Sequence, residues 1–164
     1  MSKNELVIIV DENNKEIGTE PRFKMRKLGL IHRATYILVY NLEQEIFVQK
    51  RTNTKDVYPG YYDVVSGGVV TVGETYDESA KRELEEELGI MNIPLSELFE
   101  FFFAEGKMKV WGKAYSCFYN GAIILQKEEV ESGSFMSVNE VILKSKCEKF
   151  CPDGLYVLNR YLKG

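Results

Sequence analysis

The stretch from Gly68 to Ile90 constrains this chain more than any other part of its sequence. Its second half predicts a helix, because Thr75 followed by Glu78 has the spacing of a capping box and Gly89 stands where helices commonly end. A period of 3.6 residues places three carboxylates on one face of that helix, namely Glu83, Glu86 and Glu87. An apolar stripe that suits a protein core lies beside them and consists of Ala80, Leu84 and Leu88.

The carboxylate face has two explanations. Like charges three or four residues apart destabilise an isolated helix by about 0.2–0.5 kcal/mol per pair, so the cluster needs a cause. Many acidic helix faces are simply solvated, and here Lys81 and Arg82 would neutralise part of the charge, with Glu78 four residues before Arg82. The alternative is a site for a hard divalent cation, Mg²⁺ or Mn²⁺, which prefers carboxylate oxygens.

The whole chain sets the broad class of protein. Its 164 residues suit one domain, which we expect to span residues 1–164 with residues 1–30 as an N-terminal hairpin extension. The sequence has no apolar run of about 18 residues and no signal peptide, so we expect neither membrane insertion nor secretion. Three cysteines without a secretory signal predict a reduced, cytoplasmic protein. A net charge of −4 without a long basic stripe argues against a nucleic-acid polymer as partner.

Patterns of strands and helices follow one another along the chain and predict an α/β fold. A hairpin is expected over residues 5–20, further strands over 30–40, 45–51, 61–65, 98–104 and 109–124, a last strand from 135, and helices over 139–147 and 154–162. The acidic stretch 128–134 predicts a loop. The basic segment 22–29 predicts one or two helical turns, interpreted as an exposed connector rather than a substrate-facing lid. Three consecutive phenylalanines at 101–103 predict a strand covered on both faces.

The central stretch has a recognisable spacing: Gly, five residues, Glu, seven residues, then Arg-Glu-Leu-x-Glu-Glu-x-Gly-Ile. It resembles the Nudix box at every defined position, which here are Gly68, Glu74, Arg82, Glu83, Leu84, Glu86, Glu87, Gly89 and Ile90. Flanking residues resemble the branch related to isopentenyl-diphosphate isomerases, and within it the YfcD-type bacterial proteins; they are His32–Ala34, Phe47–Arg51, Lys55, Pro59, Gly60, Asp63 and Gly67–Val70. The resemblance implies an α/β/α sandwich around a mixed sheet, with the box as a loop–helix–loop.

The resemblance also implies an activity, the hydrolysis of a diphosphate linkage in a small phosphorylated substrate, expected to be linked to a nucleoside diphosphate. Mg²⁺ or Mn²⁺ would be held by the three glutamates of the helix face, Glu83, Glu86 and Glu87, with help from a backbone carbonyl at Gly67 or Gly68. Arg82 would orient one of these glutamates, and Glu74 would tie down the loop before the helix. Gly68 and Gly73 would leave the loop backbone room near the phosphates.

The general base is expected in a loop distant from the box, as in many relatives. Glu129 is the preferred residue, followed by Glu128 and Glu131, with Glu105 as a further candidate; a merely solvated acidic loop is the alternative. The cations expected to face the substrate are Arg51 and Lys55, together with Lys50. Four aromatic residues are expected in the core more than against a base: Trp111, Tyr58, Tyr61 and Tyr62. His32 is interpreted as a structural residue rather than a metal ligand.

Two other functions fit the same resemblance. A Nudix module that only binds its ligand typically lacks one of the box carboxylates, all of which are present here. An isomerase would need a cysteine and a histidine in the segment entering the box, where residues 64–68 read Val-Val-Ser-Gly-Gly. Many relatives form homodimers, which is compatible with this sequence although no residue in it requires one.

Overall fold

The computed structural model describes residues 3–164, in which strands and helices alternate. The strands are β1 (Leu6–Val10), β2 (Glu16–Pro21), β3 (Ile31–Tyr40), β4 (Ile46–Arg51), β5 (Tyr62–Asp63), β6 (Ser96–Glu105), β7 (Met108–Phe118) and β8 (Val130–Met136). The helices are α1 (Arg22–Leu28), α2 (Tyr76–Leu88), α3 (Val138–Ser145) and α4 (Pro152–Leu162). The expected N-terminal hairpin is therefore present, as antiparallel β1 and β2.

One mixed sheet contains all of these strands. Its order is β2-β1-β3-β4-β5, with β7 beside β3, β6 beside β7, and β8 beside β4. β3 and β7 run parallel along their whole length, from Ile31 opposite Lys109 to Tyr40 opposite Phe118, whereas the other strand pairs are antiparallel. Burial of β3 on both faces explains why its sequence is a nearly continuous apolar run.

Helices cover both faces of the sheet. On one face the apolar stripe of α2 packs against alternate β3 residues, in a cluster that includes Ile37, Val39, Ala80, Leu84 and Leu88. On the other face the intervening β3 residues pack against α3 and α4, in a cluster that includes Tyr36, Leu38, Val141, Val157 and Leu158. The predicted α/β/α sandwich around a mixed sheet is confirmed.

The ends of α2 also form as predicted. The Thr75 hydroxyl accepts a hydrogen bond from the amide of Glu78, and the Glu78 carboxylate accepts one from the amide of Thr75. Gly89 then ends the helix in a left-handed conformation, with φ of 68°. Local signals therefore fix both ends of this helix.

Two strand predictions were wrong in the second half of the chain. The strand expected over 109–124 ends at Phe118, and the acidic stretch expected as a loop becomes strand β8 from Val130 onward. β8 hydrogen-bonds along the edge of β4, so pairing with a neighbouring strand outweighs the weak strand propensity of its serines and glycine. Residues 119–126 instead run past the end of α2, where Ile124 and Gln126 donate to the carbonyls of Leu88 and Glu87.

Two burial predictions were also wrong. β6 is paired only with β7 and lies at an edge of the sheet, so Phe101 is buried whereas Phe102 is 42% exposed and rests on Trp111. The segment 22–29 does form the expected short helix, α1, but it is not an exposed connector. Arg22 and Met25 are buried, because α1 packs beside the N-terminal hairpin.

The three cysteines, Cys117, Cys147 and Cys151, are free thiols, and Cys147 is the exposed one. None of the helices within residues 3–164 has the length and apolarity needed to cross a membrane.

The close approach of the box to β3 leads to a prediction about Gly67. Its φ is +141°, and a Cβ atom there would lie 2.0 Å from the carbonyl oxygen of Thr35. We expect Gly67→Ala to lower the free energy of unfolding by more than about 3 kcal/mol, because β3 or the loop must move. Urea denaturation measures this loss.

Gly73→Ala is the matched control. Gly73 also has a positive φ, of 88°, but a Cβ atom there would meet nothing within 4 Å. Only the backbone strain remains, so the expected loss is about 1 kcal/mol. Equal losses for the two variants would contradict the role given to the contact with Thr35.

Candidate active site

Helix α2 turns two of its carboxylates inward. Glu83 and Glu87 are 5% and 3% exposed, whereas Glu86 and Glu85 are exposed. The helix takes this orientation because its apolar stripe, which adjoins the two buried glutamates, is packed into the core. The predicted carboxylate face therefore consists of a buried pair and one exposed member.

Glu87 is held by the segment that enters the box. Its Oε1 accepts a hydrogen bond of 2.6 Å from the Ser66 hydroxyl and one of 3.1 Å from the amide of Gly67. Ser66 is itself bridged to Ile37 of β3. These contacts join the helix to the centre of the sheet.

Glu83 lies against the backbone of Gly68. A Cβ atom on that glycine would be 2.7 Å from the Glu83 carboxylate carbon, so only glycine leaves room for this carboxylate. Burial and the neighbouring charge of Glu87 raise the pKa of Glu83 to about 8, although Arg82 opposes the shift. The backbone polar groups of Gly68 bond to Thr35, so this glycine contributes mainly space.

Arg82 connects the loop and the helix. Its Nε and Nη2 donate to the two carboxylate oxygens of Glu74 at 2.5 and 2.9 Å, and its Nη1 donates to Glu83 at 2.8 Å and to Glu86 at 3.1 Å. Glu74 also accepts from the amide and hydroxyl of Thr71, which closes the loop. The alternative of an ordinary Glu78–Arg82 helix pair was wrong, since the carboxylate of Glu78 caps the helix.

The donor set suits a hard divalent cation. The two buried carboxylates, Glu83 and Glu87, repel each other, so a cation bound between them would stabilise both charges. Mg²⁺ and Mn²⁺ prefer oxygen ligands such as these. No group of three or more His, Cys, Asp or Glu side chains converges on a metal position within residues 3–164. Arg82 bonds to Oε1 of Glu83 and to Oε2 of Glu86, and Ser66 bonds to Oε1 of Glu87, so each of these hydrogen bonds engages one oxygen of its carboxylate.

A cavity adjoins this end of α2. Its wall contains four of the predicted site residues from the box and its entrance, Gly67, Gly68, Glu83 and Glu86, but not Glu87. Four cationic side chains line the same cavity: Arg22, Arg26, Arg51 and Lys55. The cavity therefore presents both carboxylates and cations to a ligand, as a phosphorylated substrate with a bridging metal would require.

The two cationic residues predicted to bind the substrate, Arg51 and Lys55, both have contacts that hold them in place. The Nε of Arg51 donates to the carbonyl of Val57 at 3.1 Å, and its Nη1 lies 3.7 Å from the Asp63 carboxylate. The ammonium of Lys55 forms an ion pair with Glu129. Lys50, the third cation considered, faces away from the cavity and pairs with Glu131.

Of the acidic residues considered as general bases, the structure brings only Glu129 to the cavity wall. Partial burial favours its neutral form, but the hydrogen bond and charge of Lys55 hold the pKa of Glu129 below its ordinary value. Glu128 is exposed, and Glu105 accepts a hydrogen bond from Tyr58.

Of the four aromatic residues considered, one lines the cavity and three lie outside it. Tyr58 lines the cavity, and its bond to Glu105 connects the loop after β4 with the β6–β7 turn. Tyr62 stacks on Phe150, and Trp111 donates to the carbonyl of Glu12. The interpretation of Trp111, Tyr61 and Tyr62 as packing residues agrees with their positions outside the cavity.

His32 is 2% exposed and lies on the cavity wall. Its ring nitrogens are 3.4 Å from the Leu30 carbonyl and from an Nη of Arg26. Burial first, and then the charge of Arg26, lower the pKa of His32 to about 3. These surroundings keep the ring neutral, and its structural role stays a prediction.

Sequence reasoning missed a polar cluster on the cavity wall and the α1 arginines beside it. The cluster consists of Tyr36, Gln49, Asp63, Cys151 and Asp153. Asp63 formed part of the family resemblance without a role, and polar residues inside apolar strands, such as Gln49, were the available signal. Cys151 is far from the box in sequence but shares its cavity, where burial and the charge of Asp63 raise the pKa of its thiol and keep it protonated.

The model of the NUDIX domain matches residues 30–156 of this chain. An uncharacterized Nudix hydrolase of Yersinia pestis is 45% identical over 96% of this chain and 86% of its own length. The uncharacterized Nudix hydrolase YfcD of Escherichia coli is 41% identical over 99% of this chain and 89% of its own. These relatives extend across the N-terminal hairpin as well as the box.

Solved structures share the fold at lower identity. DR0079 from Deinococcus radiodurans superimposes with a TM-score of 0.84 at 21% identity, over 95% of this chain and 98% of that one. The NUDIX domain of NrtR from Shewanella oneidensis, solved with ADP ribose, gives a TM-score of 0.66 at 13% identity, over 80% of this chain and 86% of that one. Both are similarities of architecture.

The neutral state of His32 predicts a pH dependence of stability. The pKa is near 6.5 in an unfolded chain and about 3 in the folded protein, so between these values the unfolded state binds more protons. Folding stability that depends on His32 is complete above pH 6.5 and falls as the pH is lowered toward 3. We expect His32→Gln to remove this loss, worth about 2–3 kcal/mol between pH 7 and pH 4.

Denaturant unfolding of both proteins at pH 7, 5.5 and 4 measures the effect. Carboxylates lower the stability of both proteins in acid, so the informative quantity is the difference between them. A difference that stays constant with pH would contradict a neutral, buried His32.

Proposed function

The chain belongs to the Nudix hydrolases, and from that premise we propose that it hydrolyses a diphosphate linkage in a small phosphorylated substrate with the help of Mg²⁺ or Mn²⁺. The observation that carries the proposal is the buried Glu83 carboxylate, held on the cavity wall beside Glu87 while cationic side chains line the same cavity. A diphosphate that brings divalent cations would satisfy both sets of charges. We propose that residues 1–164 act as one such domain, with residues 1–30 as its N-terminal extension.

In this proposal Glu83, Glu86 and Glu87 hold the cation, with a carbonyl of Gly67 as a further ligand. A bound divalent cation neutralises charge on the diphosphate and lowers the pKa of a bound water. Arg82 is a positioning residue, because its hydrogen bonds to Glu83 and Glu86 set where those carboxylates lie.

The remaining groups bind substrate and accept a proton. Arg51 and Lys55 contact phosphate oxygens, and Gly68 leaves room for them to approach. Glu129 is the proposed general base. Its ion pair with Lys55 favours the ionised carboxylate, which is the form that accepts a proton.

Two alternatives have some support. The NrtR domain was solved with ADP ribose, and that similarity of fold is compatible with a module that only binds. Cys151 on the cavity wall is compatible with isomerase chemistry, although the raised pKa of its thiol and the absence of a cysteine at 64–68 weigh against it. A homodimer stays a prediction.

The first prediction of the proposal concerns Glu87→Gln. The new amide oxygen can still accept from Ser66 and Gly67, so we expect the melting temperature without metal to change by at most a few degrees. The loss of one negative charge should lower metal-dependent cleavage of the diphosphate linkage by at least about 100-fold and abolish stabilisation of the protein by Mg²⁺ or Mn²⁺.

Cleavage of the diphosphate linkage is measured from its phosphate-bearing products, over a panel of nucleoside triphosphates, nucleotide sugars, ADP-ribose, NADH, CoA esters and prenyl diphosphates. Isomerisation of isopentenyl diphosphate is followed in parallel. Glu85→Gln, an equal charge change on an exposed residue of α2, should keep full turnover. Absence of turnover by the folded wild-type protein on every compound would contradict the proposal. Ligand binding without turnover would then favour the binding module.

The second prediction concerns Glu129→Gln. Removal of a general base typically lowers a rate by 10²–10⁴-fold, so we expect kcat to fall by about 100-fold or more with little change in KM. Glu131→Gln is the matched control, since Glu131 lies in the same acidic stretch but pairs with Lys50 outside the cavity. A kcat for Glu129→Gln within a few-fold of wild type would remove Glu129 from the mechanism.

A further inference from the structure

The cavity contains a second polar group that the proposed hydrolysis does not use. Gln49 of β4, Asp63 of β5 and Asp153 of α4 all line it, and we call these three residues the acceptor cluster. Gln49 and Asp63 are directly opposite in the antiparallel pairing of β4 and β5, so their side chains lie on the same face of the sheet. α4 then brings Asp153 to this face.

The acceptor cluster is tightly built. Asp63 accepts from the amide of Val65 at 3.2 Å, and Asp153 accepts from the Tyr36 hydroxyl at 2.9 Å. A Cβ atom on Gly154 would lie 2.3 Å from Asp63, so the start of α4 fits against this carboxylate only because the residue is glycine. The two carboxylates are therefore held in place without a ligand.

Gln49 differs from the two carboxylates, because its side-chain oxygen lacks a hydrogen bond within the described part of the chain. Its side chain is 3% exposed, and its Oε1 has no hydrogen-bond partner among residues 3–164. An unpaired buried acceptor destabilises the folded state, so packing within the fold does not account for it. A donor supplied by a ligand in the cavity would satisfy this oxygen.

The charges point to the same kind of ligand. Two carboxylates in the cluster face one guanidinium, that of Arg51, which lies 3.7 Å from Asp63. Burial and the charge of Asp153 raise the pKa of Asp63 to about 7. A ligand that donates hydrogen bonds, with or without a positive charge, would reduce this excess of acceptors.

We propose that the acceptor cluster recognises the part of the substrate beyond its phosphates, and that this part carries an N–H donor, either an amino group on a nucleobase or an aliphatic ammonium. The inference rests on the proposed function, since the substrate's diphosphate must lie in the same cavity. It disfavours prenyl diphosphates, whose hydrocarbon chains would leave the Gln49 oxygen without a donor.

Two matched ligand pairs test the inference by calorimetric measurement of Kd. ADP is compared with purine riboside diphosphate, which lacks the 6-amino group, and 2-aminoethyl diphosphate with propyl diphosphate. Within each pair the phosphates are identical, so their contribution cancels in the ratio of Kd values. Each pair is measured in EDTA and in Ca²⁺.

We expect the amino member of at least one pair to bind about tenfold or more tightly. Preference within the nucleoside pair assigns the donor to a nucleobase, and preference within the alkyl pair assigns it to an aliphatic ammonium. Equal Kd values in both pairs, or no binding of any of the four, would overturn the inference. A clear preference without phosphate release on any substrate would retain the inference about recognition while contradicting the hydrolase proposal.

Variants separate recognition from packing. Gln49→Met keeps the length of the side chain and removes the unpaired oxygen, so the melting temperature should stay the same or rise while the Kd ratio falls toward one. Asp153→Asn should also lower the ratio, and Glu85→Gln should preserve it. A Gln49→Met protein that melts several degrees lower and keeps the wild-type ratio would show that Gln49 only packs, and would overturn the inference.

Discussion

The hydrogen bonds that Glu87 accepts from Ser66 and Gly67 connect the two parts on which the rest of this structure depends, helix α2 and the centre of the sheet. A buried carboxylate without partners would be strongly unfavourable, so the helix must lie where these donors are. The same position places Glu83 against Gly68, and it is the one in which the apolar stripe packs into the core. The site and the fold are therefore stabilised by the same contacts.

Arg82 neutralises part of the carboxylate charge where helix α2 meets the sheet. Its guanidinium bonds to Glu74, Glu83 and Glu86 together, so three acidic residues share one cation. A divalent metal held by the glutamates of α2, as proposed, would replace part of this neutralisation. The ion pair of Lys55 with Glu129 is a second carboxylate–cation contact in the same cavity that a phosphate could displace.

Predictions from sequence were accurate where the signal was local or periodic. The ends of α2, its carboxylate face and the strand β3 all depend on residues within a few positions of each other. They failed where a neighbour distant in the chain decided the outcome. β8 forms because β4 has an edge to pair with, Phe102 is exposed because β6 lies at the edge of the sheet, and α1 is buried because the hairpin packs beside it.

The sequence by itself determined the family, the helix of the box and the spacing of its glutamates, since each is fixed by a short pattern with its own physical cause. Only the tertiary structure decided which acidic residue of the 128–134 stretch reaches the cavity, namely Glu129, and which residues surround it. It also brought Gln49, Asp63 and Asp153 together from three separate elements. Strand register brings Gln49 and Asp63 together, and the docking of α4 adds Asp153 from a distant part of the chain. No local sequence pattern fixes either of these contacts.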